Sequence, residues 1–189
     1  MKMFAKFKKT VISIALLAAS AAQAGVKVIG VEIGVSTVDQ VRQVAAAAGK
    51  VQDLGKNDVT KGLMLGVGNP DVGIDGVSAI VFVFDHAGKL AVVQMRMPST
   101  KNMQDLEKKR FDEIAAMLAE KYKQTKKVRP FVGDRFARYS APGTIIELNA
   151  PHLSDQMDLS YMTPEFVQME NSGAKAKAQE NRTTEKSRL

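Results

Sequence analysis

Polar and apolar positions along this chain change period several times, and each change predicts an element. Gly25–Val35 (GVKVIGVEIGV) is rich in β-branched residues and predicts a strand. Ser36 or Thr37 can then cap a helix, with Asp39 or Gln40 three residues on to complete a capping box. Val38, Val41, Val44, Ala45 and Ala48 recur at helical spacing and Gly49 closes the segment, which predicts a helix over residues 36–49. Lys50 to Gly76 reads as glycine-rich loop with short apolar pieces, and Asn69-Pro70-Asp71 marks a turn. Val77–Phe84 is apolar on both faces, as in a central strand. Asp85-His86-Ala87-Gly88-Lys89 is a hairpin connection, and Leu90–Met97 returns with Gln94 and Arg96 on a wet face.

The pattern then repeats. Met103, Leu106, Ile114, Met117, Leu118 and Tyr122 form an apolar stripe that predicts a second helix over residues 102–125. Period two resumes with Phe136–Tyr139, a turn at Ala141-Pro142-Gly143, Thr144–Asn149, and the alternating Met157-Asp158-Leu159-Ser160-Tyr161. Thr163-Pro164-Glu165-Phe166 opens a further helix, with proline at the first helical position. Residues 171–189 lack an apolar stripe and read as a charged tail, a frayed helix or disordered chain. The expected architecture is therefore α+β. It has two helix-plus-antiparallel-meander units (25–98 and 99–165) in one domain spanning 25–170, sharing one sheet with helices on one face.

The amino terminus has a pattern of its own. Lys2, Lys6, Lys8 and Lys9 precede the apolar run Val11–Ala19, and small residues follow, ending in Ala22-Gln23-Ala24. A basic region, an apolar region of roughly ten residues and an A-x-A site predict a secretory signal peptide over residues 1–24, cleaved at the Ala22/Ala24 motif. The run is too short to span a bilayer, which takes about 20 residues. No second apolar span follows, so the exported chain is expected to be soluble, without a transmembrane segment.

Composition changes the picture in two ways. The chain has 27 basic and 20 acidic residues, but four of its lysines and none of its acids lie in residues 1–24, leaving about +3. Of the remainder, Lys175, Lys177, Arg182, Lys186 and Arg188 sit in the tail against Glu180 and Glu185, so the body is near neutral and offers no case for nucleic acid. With no cysteine, the chain has no disulfide, no thiol chemistry and no lipid anchor of the acylated-cysteine kind. The natural address is the periplasm, or the outside of the cell.

Gly34-Val35-Ser36-Thr37-Val38-Asp39-Gln40-Val41 ends a strand and opens a helix ahead of a meander. In this it resembles the β-lactamase-inhibitor-like group of small exported modules, which includes outer-membrane assembly lipoproteins. The resemblance implies a protein-binding module rather than an enzyme. The lipid-bearing cysteine of that group is missing, and no functional residue carries over.

No motif nominates a catalytic, cofactor or metal site. His86 falls in the hairpin turn, where Asp and Gly are what the connection requires. His152, Ser154 and Asp155 are neighbours in sequence, which does not give triad geometry. The glycines of Gly66–Gly73 lack the following helix that a phosphate cradle needs. Asp71, Asp75 and Asp85 lack the dense spacing of a calcium loop. The methionines, such as Met95, Met97, Met103 and Met117, sit at core spacing rather than in a copper-binding tract. Arg96, Arg129, Arg135 and Arg138 remain as candidates for a patch that takes an anionic ligand. The expectation is an exported, non-catalytic binding protein whose partner is an envelope protein or a small ligand held between sheet and helices. The alternative is a periplasmic enzyme with carboxylate or arginine chemistry.

Overall fold

A computed structural model describes residues 25–98 and 104–188. The expected signal peptide with Ala22 and Ala24 lies outside the described residues, as do Met103 and the side chain of Leu106.

The chain opens not on one strand but on a small hairpin, β1 (Lys27–Val28) and β2 (Val31–Glu32). The turn between them places Ile29 at φ +43 and Gly30 at φ +84, so the β-branched run is folded back on itself. Helix α1 (Val38–Ala48) follows, with the expected capping box: Thr37 Oγ1 accepts from Gln40 N, and the Gln40 side chain accepts from Thr37 N. Ser36, the other candidate cap, instead accepts from Glu32 N at 2.9 Å and fastens the β2–α1 connection.

Four strands come next: β3 (Val51–Lys56), β4 (Leu63–Gly68), β5 (Ala79–Phe84) and β6 (Leu90–Pro98). The glycine-rich stretch expected as loop thus contains two strands. Gly66 belongs there because the Leu54 side chain lies over it, and a Cβ would come within 2.9 Å of Leu54 Cδ1. The 85–89 hairpin forms as expected, with Asp85 Oδ1 accepting from Ala87 N and Lys89 N.

The second half has the same order: α2 (Gln104–Lys121), then β7 (Lys123–Val128), β8 (Arg135–Ala141), β9 (Thr144–Ala150) and β10 (Gln156–Met162). The helix ends four residues earlier than its polar composition predicts. Lys123–Val128 pairs with β8 instead, from Lys123↔Ser140 to Val128↔Phe136. Ladder pairing to a neighbouring strand outweighs a helix preference of a few tenths of a kcal/mol per residue.

All eight strands form one antiparallel sheet in the order β3-β4-β5-β6-β10-β9-β8-β7. Its middle is the β6–β10 pair, in register from Gln156↔Pro98 to Met162↔Val92. This is an α+β fold. Val41 and Ala45 of α1, and Phe111, Ile114, Ala115 and Leu118 of α2, join one buried cluster with inward residues of the strands, including Leu65, Ile80, Phe82, Val93, Met95, Leu148 and Leu159. Helix α3 (Pro164–Arg188) departs from the expected plan by covering the other face. Its Phe166 and Val167 pack with Val83, Val92 and Met162. Thr163 Oγ1 accepts from Phe166 N, so proline stands first inside the helix as predicted.

Beyond Val167 every described residue of α3 is exposed. Deleting residues 171–189 is therefore expected to leave the melting midpoint within about 2 °C of the parent. The helical signal in circular dichroism should fall; a large loss of midpoint would show that the tail packs on the body. No helix among the described residues is long and apolar enough to cross a membrane.

Candidate ligand-binding cleft

The four arginines nominated from sequence fall on opposite faces of the sheet. Arg96 and Arg138 project to the face away from α1 and α2. There the ladder sets Arg96 across from Asp158, and Arg138 across from Glu147. Arg138 Nη2 lies 2.6 Å from Glu147 Oε1, and Arg96 Nε lies 4.0 Å from Asp158 Oδ1. Burial raises the Asp158 carboxyl above its ordinary range, and the Arg96 charge opposes the shift. Arg129 and Arg135 are brought together on the helix side, around Asp112 of α2. Arg129 Nη2 is 2.5 Å and Arg135 Nη1 3.5 Å from the same carboxylate oxygen. All four thus face a carboxylate of the fold. Arg129 and Arg135 pin the β7–β8 connection to α2.

Neither histidine joins a cluster. His86 is exposed in its turn, and His152 donates its backbone N–H to Asp134 Oδ1 at 2.8 Å. No group of three or more His, Cys, Asp or Glu side chains among the described residues could hold a metal ion.

A cavity opens elsewhere. Between α2, the β1–β2 hairpin and the central strands lies a cleft of about 480 Å³. That is within the range of small-molecule sites. Its floor is the inward row of the central pair: Met95 and Met97 from β6, Leu159 and Tyr161 from β10. Its wall is Ile114, Met117 and Leu118 of α2. The periodicities that build these two elements also decide the lining. Residues 95 and 97, and 159 and 161, share one face of their strands, while 114, 117, 118 and 121 share one face of the helix.

The hairpin closes one side through Val28 and Ile29. Ile29 holds a left-handed backbone that β-branched residues rarely adopt. It also lines a second, smaller cavity of about 260 Å³ against α1, so its side chain stands between the two spaces. Arg110 Nη2 donates to Asp75 O at 2.8 Å and ties α2 to the loop that completes the rim.

Two phenols and three cations give the apolar cleft its polarity. Tyr161 is buried, which pushes its hydroxyl well above the ordinary tyrosine value, and neighbouring Tyr122 pushes it the same way. Burial raises Tyr122 as well. Among the described residues neither hydroxyl has a hydrogen-bond partner, and neither oxygen is sealed from solvent, so both are open to an incoming acceptor. Lys27, Arg110 and Lys121 stand at the rim. Arg110 is engaged by Glu113 at 3.5 Å, whereas Lys27 and Lys121 make no ion pair among the described residues. The arrangement can take an apolar body along the methionine and leucine floor. It can also present neutral hydroxyl groups and positive charge to an oxygen-bearing end.

None of these residues was singled out as a site from sequence. Tyr122 and Tyr161 fell at inward positions of a helix and a strand, and a phenol at such a position needs a partner for its hydroxyl. That need was the available signal. No protein-family model, no curated protein and no solved structure matches this chain.

Proposed function

We propose that this chain is an exported binding protein of the cell envelope, and that it holds a small amphiphilic anion in the cleft between α2 and the sheet. The observation that carries this reading is the pairing of an apolar floor with the hydroxyls of Tyr122 and Tyr161 beneath the ammonium groups of Lys27 and Lys121, none of which has a partner among the described residues. A tyrosine whose ionisation is pushed upward stays protonated across the physiological range. It therefore serves as a fixed hydrogen-bond donor to an anionic oxygen rather than as a base. The lysines supply the charge at the mouth, where their stems lie along apolar surface and their heads reach water. Export is supported by the basic, apolar and small-residue order of residues 1–24.

The test is direct binding. The chain lacks tryptophan, so the fluorescence of 8-anilinonaphthalene-1-sulfonate, an apolar anion, reads occupancy without background. The dye is expected to bind and dodecanoate to displace it, while Lys121→Glu weakens dodecanoate about tenfold through loss of a charge-assisted contact. Tyr161→Phe should weaken it severalfold, and neither variant should change affinity for dodecanol by as much. Undiminished dodecanoate binding in both variants, or no displacement by dodecanoate, would sink the reading.

A further inference from the structure

A second surface lies at the end of the sheet where β7 and β9 finish and β8 and β10 begin. The β7–β8 connection (residues 129–134) and the β9–β10 connection (residues 151–155) lie side by side there, joined by the hydrogen bond from His152 N to Asp134 Oδ1. Their tips carry large apolar side chains that the fold leaves in solvent. Phe131 is 89 % exposed and Leu153 86 %, with Val132 also exposed. Single exposed apolar residues are ordinary, but three on two coupled loop tips form a patch.

The charge behind the tips is mostly positive, with Asp112 held by Arg129 and Arg135 and Asp134 by His152 N. Lys108 Nζ sits 5.3 Å from the centre of the Phe131 ring, and Lys126 Nζ 5.5 Å from that of Phe136. Residues 123–134 carry Lys123, Lys126, Lys127 and Arg129 against Asp134 alone. Lys126 and Lys127 are exposed on the edge strand that leads into the loop, and make no ion pair among the described residues.

From these we infer that the two loops dock the protein on an anionic phospholipid surface. Phe131, Val132 and Leu153 enter below the headgroups, and Lys126, Lys127 and Lys108 stay at the level of the phosphates. The arrangement matches a bilayer because its apolar groups protrude and its cations stand behind them, the order in which an interface presents acyl chain and headgroup. Lysines near such a surface add attraction that falls off within a Debye length. The inference is independent of what the cleft holds.

Co-sedimentation of the chain from residue 25 onward, the form that export would deliver, with phosphatidylcholine vesicles containing a quarter phosphatidylglycerol is the test. Each loop variant is compared with the parent. Phe131→Ala combined with Leu153→Ala should lower the partition coefficient at least tenfold, and Lys126→Glu with Lys127→Glu should do so as well. Pure phosphatidylcholine or 0.5 M salt should weaken the parent to a similar degree. All four side chains are exposed, so the melting midpoint and dodecanoate binding should stay unchanged. Equal partition of parent and variants overturns the inference. So does absence of vesicle binding, including the case where the same loop variants abolish association with an envelope protein.

Discussion

Tyr139→Ala is expected to destabilise the protein by about 3–5 kcal/mol, the range for removing a large buried aromatic side chain. The ring is fully buried in the main core. Its hydroxyl donates to Ala115 O of α2 at 2.8 Å and accepts from Gln124 Nε2 of β7 at 3.3 Å. One side chain on β8 thus fastens the helix and the edge strand that follows it. Truncation leaves a cavity beneath α2 and removes both links. For a chain of this length the midpoint should fall by roughly 6–20 °C. Tyr139→Phe separates the two contributions, because it keeps the ring and loses only the hydrogen bonds, at about 1 kcal/mol each. Urea unfolding of the three proteins checks the order parent, Phe, Ala. If the alanine variant lost no more than the phenylalanine variant, Tyr139 would matter only through its hydroxyl.

Gly62→Ala is expected to cost about 3 kcal/mol, the upper part of the range for forcing atoms into packed surroundings. A Cβ at this position would lie 2.1 Å from Phe84 O and 2.4 Å from Asp85 O, both backbone atoms with nowhere to rotate. The β3–β4 turn leans on the end of β5 here, and Thr60 Oγ1 donates to Phe84 O at 2.7 Å. Moving the turn away breaks that bond and strains the one from Asn57 N to Gly62 O, 2.8 Å long. Gly68→Ala serves as the control, since no atom lies within 4 Å of its added methyl group. It should change stability by less than about 0.5 kcal/mol. Equal losses in the two variants would mean that the close approach at Gly62 relaxes without penalty.

The elements that sequence predicted well are those whose signals are local. The Thr37–Gln40 capping box, the Asp85–Lys89 hairpin, the Pro142-Gly143 turn and the Thr163-Pro164 helix start each depend on residues within a few positions of one another. The errors lie where a partner distant in sequence decides. Lys123–Val128 has a polar, lysine-rich composition that extends a helix on paper, yet β8 offers it a ladder. Gly66 and Gly68 look like loop until Leu54 covers the one and β5 pairs with both. Phe111, fully buried at the heart of the α2 stripe, lay among charged residues and was passed over.

The candidate site was less legible for the same reason. Arg96, Arg129, Arg135 and Arg138 stood out by residue type, but a carboxylate faces each of them once the strands are in register. The cleft residues stood out by nothing. Lys27 comes from the first hairpin, Lys121 from the end of α2, Tyr122 from the residue just past it, and Tyr161 from the last strand.

By itself, the amino-acid sequence determined the α+β class, the repeated order of helix then antiparallel strands, and the caps and turns. Periodicity, capping and turn chemistry act over a few residues and are written in neighbouring letters. The tertiary structure alone decided that β6 and β10 meet at the centre of one eight-stranded sheet. That pairing sets Met95 and Met97 beside Leu159 and Tyr161, and it places residues more than sixty positions apart on one cleft floor. Which inward face meets which is settled by burial and register across the whole fold, and no local pattern encodes it.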